Sequence, residues 1–454
     1  EIINQQHQQP LQSLNLEDWL YQIQWQEQTL QNNNIVTTPR TYLILADTQG
    51  WGNQLAEVLQ TQGNTCILVY PEQVWHETAV KIDVVIYLWG LEAASNEQIN
   101  LNLLEQAQIL TCRKLLEVIQ TLFKKQTPQL WLVTKGSVSI NNSLPNLAQS
   151  FLWGMGKVIT WEYPKIWRGL IDLDLNSSFE QITQLVTEIT SQSTEHQIAF
   201  RNGKRLVARL TKPNYSVTKT TSLKSEKTYL ITGGLGALGI KTAQWMISKG
   251  VRHLVLMGRS QPSLDIISLL SQYQQQGVNI QVIQGDVSRL EDVSRVLEMI
   301  KNTMPVLAGI IHTAGVLDDG ILAEQTWEKF QRVMLPKVQG TWNLHELTKN
   351  LNLDFFVAFS SLTSVLGSPG QSNYAAANVF MDTLMQYRKS LGLSGLSINW
   401  SLWDTIGMSA TLTTYQQKRL TETGIKAITT EQGFNILEQL LEKTSGQMGV
   451  FSID

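Results

Sequence analysis

"TYLITGGLGALG", residues 228–239, runs from an apolar β-rich segment into a cluster of glycines, and its first four letters already stand at 41–44 in "TYLILADTQGWG". Aligned on that shared start, Gly233, Gly234 and Gly236 face Ala46, Asp47 and Gln49, and only Gly239 meets a glycine, Gly52. In the later copy the glycines lead into a helical pattern with Ile240, Ala243 and Ile247 on one face. Strand, glycine turn and amphipathic helix in that order predict a dinucleotide-binding turn: glycine admits positive φ, and bare backbone lets a pyrophosphate reach the N–H groups at the helix N-terminus, where the dipole favours negative charge. Gly233, Gly234, Gly236, Leu238 and Gly239 are the candidate contacts, joined by Ala314 and Gly315 of "HTAGV" at a later strand end. In the earlier copy Asp47 puts a carboxylate where the pyrophosphate would lie, so that turn is expected to bind no dinucleotide.

Outward from both turns the chain alternates strands and helices. "TYLILAD", "TCILVY", "DVVIYLW" and "QLWLVTK" in the first half are separated by helical patterns, as are "TYLITGG", "HLVLMGR", "IQVIQGDV", "LAGIIHTAGV", "LDFFVAFSS" and "GLSINWSLW" in the second. Repeated β-α-β alternation predicts parallel sheets. "HQIAFRNGKRLVARL" reads as a hairpin around Asn202-Gly203, and the patternless "TKPNYSVTKTTSLKSEK" after it marks a domain boundary near residue 222. The expected fold is α/β, two tandem Rossmann-like units: residues 1–222 truncated, structural and cofactor-free, residues 223–454 catalytic.

With 454 residues, 43% hydrophobic and 16% charged, the chain has material for two or three packed domains. A net charge of -3 and the lack of Lys/Arg runs beyond pairs such as Lys124-Lys125 argue against nucleic acid. No apolar run reaches the ~18 residues of a membrane span, and the polar, Gln-rich start is unlike a signal peptide. Cys66 and Cys112 sit in apolar surroundings without CxxC spacing, and the six histidines are never at ligand spacing, so buried thiols, no metal site and a cytoplasmic setting are expected. The start without Met and the apolar alternation of "GQMGVFSID" suggest a piece of something longer.

After "HLVLMG" come Arg259 and Ser260, a planar cation and a hydroxyl suited to a 2′-phosphate, where a carboxylate would meet a bare ribose; the expected cofactor is therefore NADPH, a solvated surface Arg being the alternative. Asp286 of "QGDVS" is placed to accept from an adenine amino group, with Val287 beside the ring, or else to cap a helix.

In "FSSLTSVLGSPGQSNYAAANVF", Ser361 ends a strand, Tyr374 lies thirteen residues on, and Asn378 is one helical turn further on the same face. Carbonyl reduction needs an acid that delivers a proton as hydride arrives at carbon, and a hydroxyl that holds the oxygen; tyrosine serves if a nearby cation stabilises its phenolate. Ser360 is the rival to Ser361. Here the chain resembles the short-chain dehydrogenase/reductase superfamily, with one departure: its YxxxK is replaced by "YAAAN", so the cation must come from elsewhere. Lys337 of "RVMLPKVQGTWNLHEL" supplies it.

That exchange of Lys and Asn resembles the ketoreductase domain of modular polyketide synthases and animal-type fatty acid synthases, and the likeness extends from "LYQIQWQEQ" through "FLWGMGKVITWEYPKIWRGLIDLD" to "INWSLWDTIGM". The resemblance implies Tyr374 as proton donor, Ser361 as carbonyl-binding hydroxyl, Lys337 lowering the tyrosine pKa and Asn378 completing a proton relay. It also implies a β-ketoacyl thioester substrate carried by the phosphopantetheine arm of an acyl carrier protein, with other synthase domains as neighbours. Leu317-Asp318-Asp319 resembles the LDD signature of B-type ketoreductases and implies a D-configured hydroxyl, a plain turn at Asp318-Asp319-Gly320 being the alternative. Pro369 and Asn373 resemble positions noted in reductases of epimerised α-methyl substrates, but "SPGQSNYAAAN" occurs outside that subset and epimerisation is not inferred. Trp403 and Met408, in a segment expected to form a lid, are candidate substrate contacts or simple packing. A free-standing reductase of small ketones and a catalytically silent scaffold unit are the competing readings; the cofactor-free first half speaks against the former, the intact Tyr and glycine turn against the latter.

Overall fold

The computed structural model describes residues 16–30, 38–73, 80–176, 181–213, 223–404, 424–441 and 446–453. The second unit builds strands β9 (Thr228–Thr232), β10 (His253–Gly258), β11 (Asn279–Gln284), β12 (Leu307–His312), β13 (Phe355–Ser361) and β14 (Leu396–Trp400), followed by a short β15 (Ile425–Lys426) and by β16 (Gln447–Val450). Among the described residues β15 pairs only with β17 (Ser452–Ile453). The main order is β11-β10-β9-β12-β13-β14-β16, all parallel. Chain direction across the sheet reverses between β9 and β12, which opens a crevice at their carboxyl ends.

The first unit repeats the plan with β2 (Thr41–Leu45), β3 (Thr65–Val69), β4 (Val84–Tyr87), β5 (Gln129–Lys135), β6 (Trp167–Leu173) and the hairpin β7 (Gln197–Arg201) and β8 (Lys204–Thr211). Among the described residues its order β3-β2-β4-β5-β6-β7 shows no counterpart of β11, in keeping with the truncation expected from the sequence. Asn202 at φ 50 and Gly203 at φ 75 both take the positive φ that a two-residue hairpin turn requires.

The sheets of the two expected units join into one continuous sheet, fifteen-stranded among the described residues. Its join is β1 (Leu20–Glu27), antiparallel to β8 along Gln22↔Thr211 to Glu27↔Leu206 and to β16 at Leu20↔Val450 and Tyr21↔Gly449. Each unit alone would leave an open edge, and β1 satisfies the hydrogen bonds of both. The boundary proposed near 222 falls in residues 214–222, outside the described residues.

A helix of the first unit, Phe151–Glu162, is buried along most of its length because it lies between units. Its sequence "FLWGMGKVI" is apolar nearly all round, as a helix covered on every side requires. Gly154 has no room for a side chain: a Cβ there would sit 2.4 Å from Ala376 Cα on the helix Ser372–Ser390 of the second unit. Phe151 stacks on Phe380 with ring centroids 5.2 Å apart. Among the described residues no helix is long and apolar enough to cross a membrane.

Candidate active site

At the end of β9 the glycines divide into two kinds. Gly233 has φ +72 and a Cβ on it would lie 2.6 Å from Ala314 N; on Gly239 it would lie 2.3 Å from Gly233 O, and on Gly234 2.7 Å from Ile231 O. These three let turn, strand and helix close on one another, and they bring Ala314 at the end of β12 against the turn. Gly236 is exposed, and a Cβ on it meets nothing nearer than 3.3 Å. It caps the helix Ala237–Ser248 with no side-chain hydrogen bond, so among the described residues no side chain caps that helix N-terminus.

The first copy inverts this arrangement. Asp47 is wholly buried and its carboxylate accepts from Trp51 N at 3.2 Å and Gly52 N at 2.7 Å, so the protein's own anion occupies the N-terminus of the helix Trp51–Thr61. Glu92 fills the adjoining space, accepting from Thr48 N and from Thr48 Oγ1. The one glycine both copies share is the packing glycine: a Cβ on Gly52 would lie 2.5 Å from Ala46 Cβ.

Arg259 and Ser260 are exposed just beyond β10, and no protein group among the described residues is shown pairing with the Arg259 guanidinium; only its carbonyl is engaged, by Gln284 Nε2 at 2.9 Å. Asp286 does not cap a helix. The helix Leu290–Thr303 has Arg289 as its N-cap, while Asp286 Oδ1 accepts from Ser288 N and Ser288 Oγ at 2.9 and 2.8 Å in an Asx turn. Val287 is buried, its side chain 2.8 Å from where a Cβ on Gly340 would be.

Ser361, Tyr374, Asn378 and Lys337 converge on one point at the carboxyl end of β13. Tyr374 lies in the first turn of Ser372–Ser390, and Asn378 Nδ2 donates to its carbonyl at 2.7 Å while Asn378 Oδ1 is buried without a partner. Lys337 comes from Leu335–Gln339, where the helix widens by one π-turn after Met334, a distortion recurrent at functional sites. Lys337 is 3% exposed, and its ammonium donates to Phe359 O at 3.3 Å and lies 5.0 Å from the centre of the Tyr374 ring. Ser361 rather than Ser360 faces the phenol: hydrogen bonds from the Asn378 and Ser361 side chains act on Tyr374, whereas Ser360 is turned into a buried cluster with Asn399 and Ser364.

Burial pushes the Tyr374 phenol up to about 12, with Asn378 and Ser361 opposing it. Lys337 is itself pushed down to about 7 by burial, against the pull of Asp382. A cation and a phenol held in one dry pocket each lose the stabilisation of water, and both shift toward their neutral forms.

Asp382, two helical turns after Tyr374, was missed in the sequence although its i+8 spacing places it on the same helix face. It accepts from Ser364 Oγ at 2.6 Å, Ser397 Oγ at 2.5 Å and Asn399 Nδ2 at 2.8 Å, and burial raises its pKa.

The loop carrying Leu317, Asp318 and Asp319 lies beside this cluster. Asp318 pairs with Arg332 at 2.5 Å, Asp319 Oδ2 accepts from Gln371 Nε2 at 3.0 Å, and Asn373 Nδ2 donates to Asp318 O at 2.8 Å. Gln371 Oε1 in turn accepts from Thr363 Oγ1, which accepts from Ser361 Oγ, both at 3.2 Å. Trp403 is not in this site. It is buried against Trp400 and Phe434, with ring centroids 4.8 and 5.4 Å away, and a Cβ on Gly433 would strike its ring, so it is core packing. Met408 lies outside the described residues.

Two family profiles divide the chain between them: the Rossmann fold domain of polyketide synthase extender module SpnB matches residues 27–210, and the KR domain matches residues 227–405. The chain is 34% identical over 73% of its length to a 6-methylsalicylic acid synthase of Arthrobotrys oligospora, of which it covers 19%. It is 35% identical over 72% of its length to the spectinabilin polyketide synthase system protein NorA of Streptomyces orinoci, of which it covers 17%. It thus spans about a fifth of these relatives' length. A solved structure of A-type ketoreductases from a modular polyketide synthase superposes over 97% of this chain and 94% of that one, with a TM-score of 0.84 and 27% identity. Both halves of the fold, in this order, are those of one family: the chain belongs to the ketoreductase domains of modular polyketide synthases.

Proposed function

We propose that this ketoreductase uses NADPH to reduce a β-ketoacyl thioester, carried on the phosphopantetheine arm of an acyl carrier protein, to the D-β-hydroxyacyl thioester in polyketide biosynthesis. The observation that carries the reading is the convergence of Ser361, Tyr374, Asn378 and Lys337 beside a helix N-terminus left bare by Gly236.

The residues present fit the cofactor. The open turn at Gly236 suits a pyrophosphate, exposed Arg259 and Ser260 offer a guanidinium and a hydroxyl to a 2′-phosphate, and the Asp286 carboxylate would accept from an adenine amino group. When bound, NADPH supplies the hydride taken up by the carbonyl carbon. Ser361 holds the ketone oxygen, and Tyr374 gives its phenolic proton to that oxygen as charge develops there. The ring of the phenolate left behind has its centre 5.0 Å from the Lys337 ammonium, and Asn378, whose Oδ1 has no partner among the described residues, links the two toward reprotonation. The thioester enters past Leu317-Asp318-Asp319, which presents one face of the ketone to the cofactor. The acyl carrier protein and neighbouring synthase domains are its proposed partners.

The deciding experiment is NADPH oxidation with an unbranched β-ketoacyl thioester mimic, followed by chiral chromatography. The expected product is the D-β-hydroxy thioester; predominantly L product refutes the role given to the LDD loop, and no oxidation refutes the whole reading. A second outcome concerns the cofactor: Arg259→Ala will weaken NADPH binding by about 10- to 100-fold, the worth of a charge-assisted contact of ~1.5–3 kcal/mol, and leave NADH binding unchanged. Equal rates of the parent with both cofactors would remove that role.

A further inference from the structure

We propose that Glu162, a residue of the cofactor-free first unit, is a positioning residue for substrate recognition: its carboxylate clamps together the two loops that flank the catalytic cluster. This rests on the reading of the loop at Leu317-Asp318-Asp319 as substrate-guiding.

Glu162 is the last residue of the helix Phe151–Glu162, the element that the first unit buries against the Tyr374 helix. One of its oxygens, Oε2, accepts from Leu322 N at 2.6 Å, at the end of the loop that carries Asp318 and Asp319. The other, Oε1, accepts from Gly370 N at 2.7 Å, four residues before Tyr374. The two loops also touch directly, Gly320 N donating to Gly370 O at 2.8 Å. The far side of the same loop end is held by the first unit too, since Gln120 Nε2 donates to Leu322 O at 2.8 Å. Leu322 is thus gripped at its N–H and at its carbonyl by side chains from outside the catalytic unit.

The chemistry of the clamp is specific to a carboxylate. Two N–H donors converge from different loops on the two oxygens of one side chain, each bond charge-assisted. A glutamine at 162 accepts one of them and turns its NH2 toward the other, donor against donor. Aspartate is one methylene too short to reach both. Gly370, at φ +82, has its amide fixed in direction by a backbone conformation that other residues rarely adopt. Releasing the clamp therefore loosens the wall against which the thioester is oriented, while Ser361, Tyr374, Lys337 and the glycine turn keep their own contacts.

The test is E162Q in the whole chain. Expected are a rise of about tenfold in KM for the β-ketoacyl thioester with kcat within about threefold, NADPH affinity within about twofold, and L product appearing beside D. An unchanged KM together with an unchanged product ratio overturns the proposal. Amide hydrogen exchange gives a second measurement that needs no variant: in the parent, Leu322 N–H and Gly370 N–H are expected to exchange slowly, and fast exchange at either overturns the clamp even if E162Q does not fold. A parent chain that reduces no β-ketoacyl thioester refutes the functional reading, while exchange at these two amides judges the clamp independently.

Discussion

Tyr374→Phe will lose nearly all reduction, by about 10³-fold within the range that general acids contribute, and will bind NADPH within about twofold of the parent. The two effects separate because the phenol oxygen faces Ser361 and Asn378, whereas the cofactor's proposed contacts are backbone at Gly236 and the side chains beyond β10. Phenylalanine keeps the ring volume and the contacts of a buried helix face, so thermal stability should stay close to that of the parent. Single-turnover reduction and calorimetric NADPH titration measure the two quantities. A variant that retains even a third of the parent rate would show that another group delivers the proton.

Lys337→Met will cost at least about 10²-fold in rate at pH 7 and yet stabilise the fold, most strongly under mildly acidic conditions. The rate falls because a phenol pushed up to about 12 by burial gives up its proton only if a cation stands ready, and Lys337 is 5.0 Å from its ring. The stability effect follows from linkage. Lys337 has a pKa of about 7 in the folded protein against an ordinary 10.5, so between these values the unfolded chain holds a proton that the folded chain has released. Stability of the parent therefore rises with pH across that window through this group, and below pH 7 the fold carries the full cost of a buried ammonium. Methionine removes the cost, so the gain in melting temperature over the parent should be larger at pH 6 than at pH 9. A gain that grows with pH instead would show that Lys337 stabilises the fold as a cation.

Several parts of the site were legible because each is a local pattern. The glycine turn needs only strand, glycines and helix in succession, and the offsets from Ser361 to Tyr374 and Asn378 are set by one strand, one loop and one helical turn. The reading of Asp47 was also local, and the structure shows where the carboxylate goes: it takes the helix N-terminus, accepting from Trp51 N and Gly52 N. Trp403 shows where local reading fails. An aromatic residue next to an expected lid looks the same in sequence whether it faces substrate or core, and only its contacts with Trp400 and Phe434 decide for the core. The direction of the Tyr374 shift was beyond sequence for a related reason, since desolvation depends on every neighbour that excludes water from the phenol.

By itself, then, the sequence determined the α/β alternation, the repeated unit with one turn disarmed, and the types and spacing of the residues that carry the chemistry, because hydrophobic periodicity and turn composition act over a few residues. Tertiary structure alone decided that the two units share a single sheet through β1, that Lys337 and Asp382 lie buried close enough for one charge to act on the other, and that Glu162 meets Leu322 and Gly370 across 160 and 208 residues of chain. Strand edges seek any partner that satisfies their hydrogen bonds, and a carboxylate any converging donors; neither demand specifies where along the chain the partner is, so only the packed fold selects it.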